Sequence, residues 1–167
     1  MAARQSTPDR PSNDDKRSLR VWLHLTKCAR AVEAEVNARL RRNHGQSLAR
    51  FDALSQLYRF GQDWVTVGTL AEHMLTASKN ITALLDRMQS EGLIERRASP
   101  VDRRSFQVRP TPRGRALFDT MARDHARWVD EVWAEIGVDD KDTLIELLIA
   151  LRAATTDFDA LDADTAA

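Results

Sequence analysis

The chain has 167 residues, enough for one domain of ordinary size with a packed core. Hydrophobic residues make up 43% and charged residues 30%, with only 6 Gly and 5 Pro, which is the profile of a soluble, helix-rich protein. A single cysteine excludes an intrachain disulfide, no apolar run approaches the ~20 residues of a membrane span, and the polar N-terminus lacks a signal-peptide core, so cytoplasm is the expected location.

Residues 1–17 are polar, carry Pro8 and Pro11, and read as a disordered tail. Ser18 is a candidate cap for a helix over 18–42, where Trp22, Leu25, Ala29, Val32, Val36 and Leu40 recur at helical spacing. Leu19, Val21 and Leu23 widen its apolar surface, as in a helix with more than one packing partner. Gly45 is placed to end it. Ser47 caps a second helix over 47–60 that buries Leu48, Phe51, Leu54, Leu57 and Tyr58. Trp64-Val65 reads either as a short strand or as an anchor beneath the next helix.

Residues 66–74 form a short helix capped by Thr66, and residues 77–91 a second one with Ile81, Leu84, Leu85 and Met88 inward, ended by Gly92. Residues 93–97 and 104–109 alternate as two strands around a charged turn, and Pro110 is expected to stop the pairing. Thr111 caps and Pro112 opens a helix to about Ile136, with Leu117, Met121, His125, Trp128, Val132 and Ile136 on one stripe and Gly137 as its cap. A last helix, about 139–158, has acids in its first turn and a narrow seam of Leu144, Leu147, Leu148, Leu151, Ala154 and Phe158, suited to a partner helix. Residues 159–167 are a small acidic tail.

Two helices and a β-hairpin over 66–110 make a winged helix-turn-helix, a unit that mostly binds duplex DNA. Formal net charge is zero, but its distribution is not even. Residues 78–115 hold nine Lys or Arg against four acids, and residues 138–167 hold eight acids against Lys141 and Arg152. A basic module with an acidic far end turns one face to phosphate. Ser78, Lys79, Asn80, Thr82 and Ala83 are the side chains left outside on the second helix, where Asn pairs with adenine, Lys with guanine or phosphate, and methyl groups touch thymine. Arg103 and Arg104 sit at the hairpin tip, placed for a minor groove, while Arg96, Arg97 and Arg113, with Arg87, suit the phosphate backbone. Nothing points to an enzyme: phosphate-loop, dinucleotide, nucleophile-elbow and zinc-protease motifs are missing, and no cofactor is implied.

The segments DRRSFQVRPTPRGRAL (102–117), ITALLDRM (81–88) and EGLIER (91–96) carry a resemblance to the MarR family of bacterial transcription regulators. The first is similar to the family's wing motif, Asp-x-Arg-Ser followed by a strand and Thr-x-x-Gly. The resemblance spans about 18–158 and implies a mainly α fold with a small β-wing. Residues 18–46 and 111–158 become dimerisation helices, and 47–110 the DNA-binding domain. It implies a cytoplasmic homodimer on a palindromic operator, with Arg104 entering the minor groove and Asp102 positioning it. Ala77 stands where a hydroxyl cap is common, so Thr76 or Ser78 takes that place.

The resemblance also implies an effector cleft drawing on Trp22, Thr26, Arg30, Asp52, His125 and Trp128. Aromatic walls with a cation suit a small aromatic anion, whose binding releases a repressor from DNA. Two alternatives stand beside this reading: redox sensing through Cys28, which some relatives carry out from their first helix, and a winged-helix interaction or architectural module. His24 and Cys28 have metal-like spacing, but no second ligand set accompanies them, so no metal is expected.

Overall fold

In a computed structural model, residues 13–61, 63–76, 80–101 and 105–165 are described, with the side chains of 13, 15 and 156–165 left aside. The elements run α1 (Asn13–His44), α2 (Leu48–Arg59), β1 (Val65–Thr66), α3 (Val67–His73), α4 (Ile81–Ser90), β2 (Ile94–Ala98), β3 (Phe106–Pro110), α5 (Pro112–Val132) and α6 (Val138–Thr165). The chain is mainly α with one small antiparallel sheet of order β1-β3-β2. It divides into two compact units, 1–126 and 127–167.

In the first unit the core gathers Val36 and Leu40 of α1, Phe51, Ala53, Leu54 and Leu57 of α2, Leu70 of α3, Leu85 and Met88 of α4, and Val65, Ile94 and Val108 of the sheet. Only the C-terminal part of α1 is drawn into this core. Leu19, Val21, Trp22, Leu23 and Leu25 stay exposed, Trp22 by 59%. The helix starts at Asn13, ahead of Ser18, where Asp14 suits the positive end of a helix. The expected tail therefore gives up residues 13–17 to α1, and residues 1–12 lie outside the described residues. Gly45 ends α1 at φ 65°, with its N–H on the Arg41 carbonyl.

Ser47 caps α2 by accepting from Arg50 N–H, and Thr66 caps α3 by accepting from Thr69 N–H. Tyr58 was expected in the core but is 45% exposed, its ring lying against Phe118 at 4.8 Å. Trp64-Val65 resolves into β1, whose Val65 pairs with Val108. Pro110 does not stop the pairing. It is the last residue of β3, opposite Ile94, and is buried. At that position β3 has no β1 neighbour, so the missing N–H leaves no ladder bond unmade, and Thr111 N–H bonds the Leu93 carbonyl instead.

The second unit comprises the end of α5, a turn and α6. α5 ends at Val132, short of the expected Ile136, because the N–H groups of Trp133, Ala134 and Ile136 fold back on carbonyls three residues earlier. Gly137 consequently heads α6, its carbonyl accepting from Lys141 N–H, and does not cap α5. α6 runs on through the stretch read as a tail, to Thr165, with Asp139 and Asp140 in its first turn. Ile145, Leu147, Leu148, Ile149 and Leu151 of α6 are exposed. Among the described residues no helix is long and apolar enough to cross a membrane.

Candidate nucleic-acid interface

Helix α4 begins at its first apolar residue, Ile81, and not at residue 77 as expected. Asn80 is its N-cap, with the side-chain oxygen accepting from Ala83 N–H at 3.0 Å. The cap engages the Asn80 side-chain oxygen in the helix and leaves its amide NH2 as the group that could meet a base edge. Thr82 is exposed and Ala83 half-buried. Ser78 and Lys79 of the expected reading set lie outside the described residues, and so do Asp102, Arg103 and Arg104 of the wing tip.

Residues on both sides of α4 are anchored. The turn before it is tied to α2, where the buried Asp52 accepts from Thr76 N–H at 2.7 Å and Thr76 Oγ1–H at 2.9 Å. Gln56 Nε2 donates to the other Asp52 oxygen at 3.3 Å. At the far end Gly92 takes φ 70°, with Gly92 N–H on Gln89 O and Leu93 N–H on Met88 O, the paired bonds of a glycine-ended helix. Arg50 forks onto both oxygens of Glu91 and adds Gln46. The hydrogen bond from Arg50 holds the Glu91 carboxyl below the usual carboxylate range, with Arg113 adding its charge. Arg113 and Arg87 are both exposed, Arg113 in the first turn of α5.

The Thr-x-x-Gly part of the wing motif has a structural explanation. Thr111 Oγ1–H donates to the carbonyls of Gly92 and Leu93, and the same oxygen accepts from Gly114 N–H at 3.0 Å. A side chain at Gly114 would collide with the Leu93 carbonyl oxygen and sit 3.0 Å from its carbon. Only glycine lets α5 start this close to the exit of α4.

The strand register separates two arginines that the sequence reading grouped together. Ile94, Arg96, Phe106, Val108 and Pro110 share the inner face, and Glu95, Arg97, Gln107 and Arg109 the outer one. Arg96 is inward and its side chain is only 17% exposed. Its Nη1 donates to Asp86 of α4 at 2.7 Å, and its guanidinium lies 4.2 Å from the Phe106 ring centroid. It braces α4 against the wing. Asp86 accordingly pairs with Arg96 and not with its neighbour Arg87. Arg97 is outward and exposed, with its Nε–H on Gln107 Oε1 at 2.9 Å.

The expected effector residues are spread over α1, α2 and α5. Trp22 and Arg30 are exposed on α1 and Thr26 is half-buried there, whereas Asp52 is engaged by Thr76. His125 is stacked on Phe51 at 4.7 Å, in a row continued by Phe118 at 5.6 Å from Phe51. Burial lowers the His125 pKa from its ordinary 6.5, so the ring is neutral at physiological pH. Trp128 is buried and belongs to the second unit. Cys28 is exposed on α1. The sequence reading missed Arg50, Glu91 and Phe118. Nothing local marks the first two as partners, since 41 residues separate them.

A family model described as the MarR family matches residues 44–105, the stretch from the end of α1 to the wing. The HTH-type transcriptional regulator MhqR of Bacillus subtilis is 27% identical over 133 residues, which cover 80% of this chain and 90% of that one. Over this stretch the chain is similar to MarR family regulators. The curated proteins it resembles are transcription regulators, not enzymes. The fold is shared with Sco3205 of Streptomyces coelicolor, a MarR family regulator solved in complex with DNA. That likeness has a TM-score of 0.73 at 18% identity and covers 90% of this chain and 92% of that one. The organohalide-sensing regulator RdhR-CbdbA1625, solved with 2,4-dichlorophenol bound, has a TM-score of 0.72 at 20% identity, covering 90% of this chain and 89% of that one.

Proposed function

We propose that this chain is a MarR family member, a homodimeric repressor that leaves a palindromic operator when a small aromatic anion binds. The observation that carries the dimer is uncovered apolar surface. The N-terminal half of α1 and the Ile145–Leu151 stretch of α6 each expose five large apolar side chains, far more than scattered single exposures explain. A second copy of the chain is the partner of matching chemistry, and a two-fold dimer calls for two half-sites about one DNA turn apart.

In this reading α4 enters the major groove with Ser78, Lys79, Asn80, Thr82 and Ala83, and Arg87, Arg97 and Arg113 contact phosphates. Arg104 enters the minor groove with Asp102 orienting it, and Arg103 flanks them at the tip. The effector acts on the aromatic row of Tyr58, Phe118, Phe51 and His125, which joins α2 to α5. Support for an aromatic ligand comes from that row and from the dichlorophenol held by the similar RdhR-CbdbA1625. The effector weakens DNA binding only if it favours an arrangement that does not fit the operator.

The test is a gel-shift titration on the DNA upstream of the protein's own gene, with light scattering for mass and a series of aromatic acids and phenols as competitors. A dimer that shifts this DNA and is released by one of these compounds is the expected result. A monomer at micromolar concentration, or a shift that no aromatic anion reverses, would overturn the corresponding half of the proposal.

A further inference from the structure

The outer face of the sheet carries an arrangement that general DNA binding does not require. Trp64, just ahead of β1, is half-buried, and two guanidinium groups stack on its ring. Arg97 Cζ lies 4.2 Å and Arg109 Cζ 4.6 Å from the ring centroid. The two cations differ in what else they meet. Arg109 is neutralised within the protein, pairing with Glu95 at 2.8 Å. Arg97 has no carboxylate partner among the described residues. Its Nε–H goes to the neutral Gln107 Oε1 at 2.9 Å, and its two terminal nitrogens have no partner among the described residues. One arginine is therefore held by a ring and an amide at full charge, on an exposed strand of the wing.

We propose that Trp64 is a positioning residue for DNA binding, holding the Arg97 guanidinium, together with Gln107, in the orientation in which its terminal N–H groups grip a backbone phosphate. A long side chain that is ordered only on binding gives up part of its binding energy to that ordering. An aromatic face combined with a hydrogen bond to Nε fixes the planar fork beforehand, and a lysine could not be held in this way. Arg109 completes the stack and, through Glu95, adds no net charge to it. The inference rests on the reading of the protein as a duplex-DNA-binding regulator. It goes beyond that reading by assigning a role to a residue outside both the recognition helix and the wing tip.

The experiment is a fluorescence-anisotropy titration of the full chain on a labelled duplex from upstream of its own coding sequence, repeated over a salt series. Arg97→Ala lowers the slope of log K against log salt by ~0.9 for each phosphate it no longer neutralises, while Arg96→Ala, whose charge is tied to Asp86, leaves the slope unchanged. Trp64→Ala weakens binding by about 3- to 10-fold, Trp64→Phe retains most of the affinity, and in the Arg97→Ala background Trp64→Ala has no further effect. If circular dichroism shows Trp64→Ala to be unfolded, Gln107→Ala, which loosens Arg97 from the other side, takes its place with the same expected pattern. Wild-type affinity in Trp64→Ala, an equal loss in the Arg97→Ala background, or an unchanged slope in Arg97→Ala would overturn the assignment. A wild-type protein that binds no duplex even at low salt would instead refute the DNA reading on which it rests.

Discussion

Replacing Asp52 tests whether the recognition helix is held from α2. The Asp52 side chain is 5% exposed and receives two bonds from Thr76, at 2.7 and 2.9 Å, and a longer one from Gln56 at 3.3 Å. Hydrogen bonds to a carboxylate contribute roughly 1.5–3 kcal/mol each, and a part-buried donor left unpaired adds a desolvation cost of ~1–3 kcal/mol. These overlap, because one Thr76 supplies both short bonds, and local relaxation readmits water. The net loss for Asp52→Ala is therefore about 2–4 kcal/mol. For a chain of this size that is a fall in Tm of about 5–15 °C. Asp52→Asn, which keeps one acceptor, should lose about half as much. Thermal and urea unfolding at one fixed protein concentration, with Thr76→Ala and the double variant, give the coupling energy, expected at about 1–2 kcal/mol. Operator affinity should fall in parallel, because Thr76 lies only four residues ahead of the Asn80 cap of α4. A loss below about 0.5 kcal/mol for Asp52→Ala, or additive Asp52 and Thr76 effects, would show that the bond pair does not hold this turn.

Two further substitutions separate competing effects by sign. Gly114→Ala lies in a helix, where alanine ordinarily gains up to ~1 kcal/mol. The close approach to Leu93 predicts instead a loss of about 1–3 kcal/mol in urea unfolding, so a stabilised variant would refute the packing argument. His125 is held neutral by burial, so between its ordinary 6.5 and its lower folded value the unfolded chain binds the proton first. Stability should therefore drop as pH falls below about 6.5, and His125→Phe should flatten that drop. Glu91, whose pKa is lowered from 4.5, contributes only in a more acid range, where its stabilisation is lost as the carboxyl protonates. An unchanged profile in His125→Phe would place the titration elsewhere.

Helical periodicity was enough to find the order of elements and most of the core, because the relevant spacings are local and the caps at Ser47, Thr66 and Thr111 lie where their hydroxyls are needed. The misplacements also have local causes. The start of α4 was placed at residue 77, with Thr76 or Ser78 as its cap, but a helix starts at the side chain that satisfies its first N–H groups, and here that is Asn80. Pro110 was judged without knowing that β3 has a neighbour on one side only at that point. Arg96 and Arg97 could have been separated from the sequence by counting in twos from Ile94. The partner that neutralises Arg96, Asp86, could not, because it lies on a different element. An effector cleft depends on how whole helices are placed, which local spacing does not record.

Three consecutive residues of α2 suggest how such a cleft could reach DNA. At ~100° per residue, neighbours in a helix point in three directions. Arg50 reaches Glu91 at the end of α4, Phe51 stacks on Phe118 and His125 of α5, and Asp52 takes the Thr76 turn before α4. The end of α4 and the Thr76 turn are therefore fastened to the same turn of α2, and Thr111 and Gly114 fasten the exit of α4 to α5. The Asp86–Arg96 brace then carries any rotation of α4 into the wing. A ligand that separates Phe51 from His125 cannot displace α2 without pulling on the Glu91 end of α4 and on the Thr76 turn. The recognition helix should accordingly respond as a rigid body, so an effector would change the spacing between the two helices of a dimer without unfolding either. Hydrogen exchange distinguishes the two outcomes: protection within Ile81–Ser90 should persist when the effector binds, and its loss would mean that release from DNA works by melting the helix.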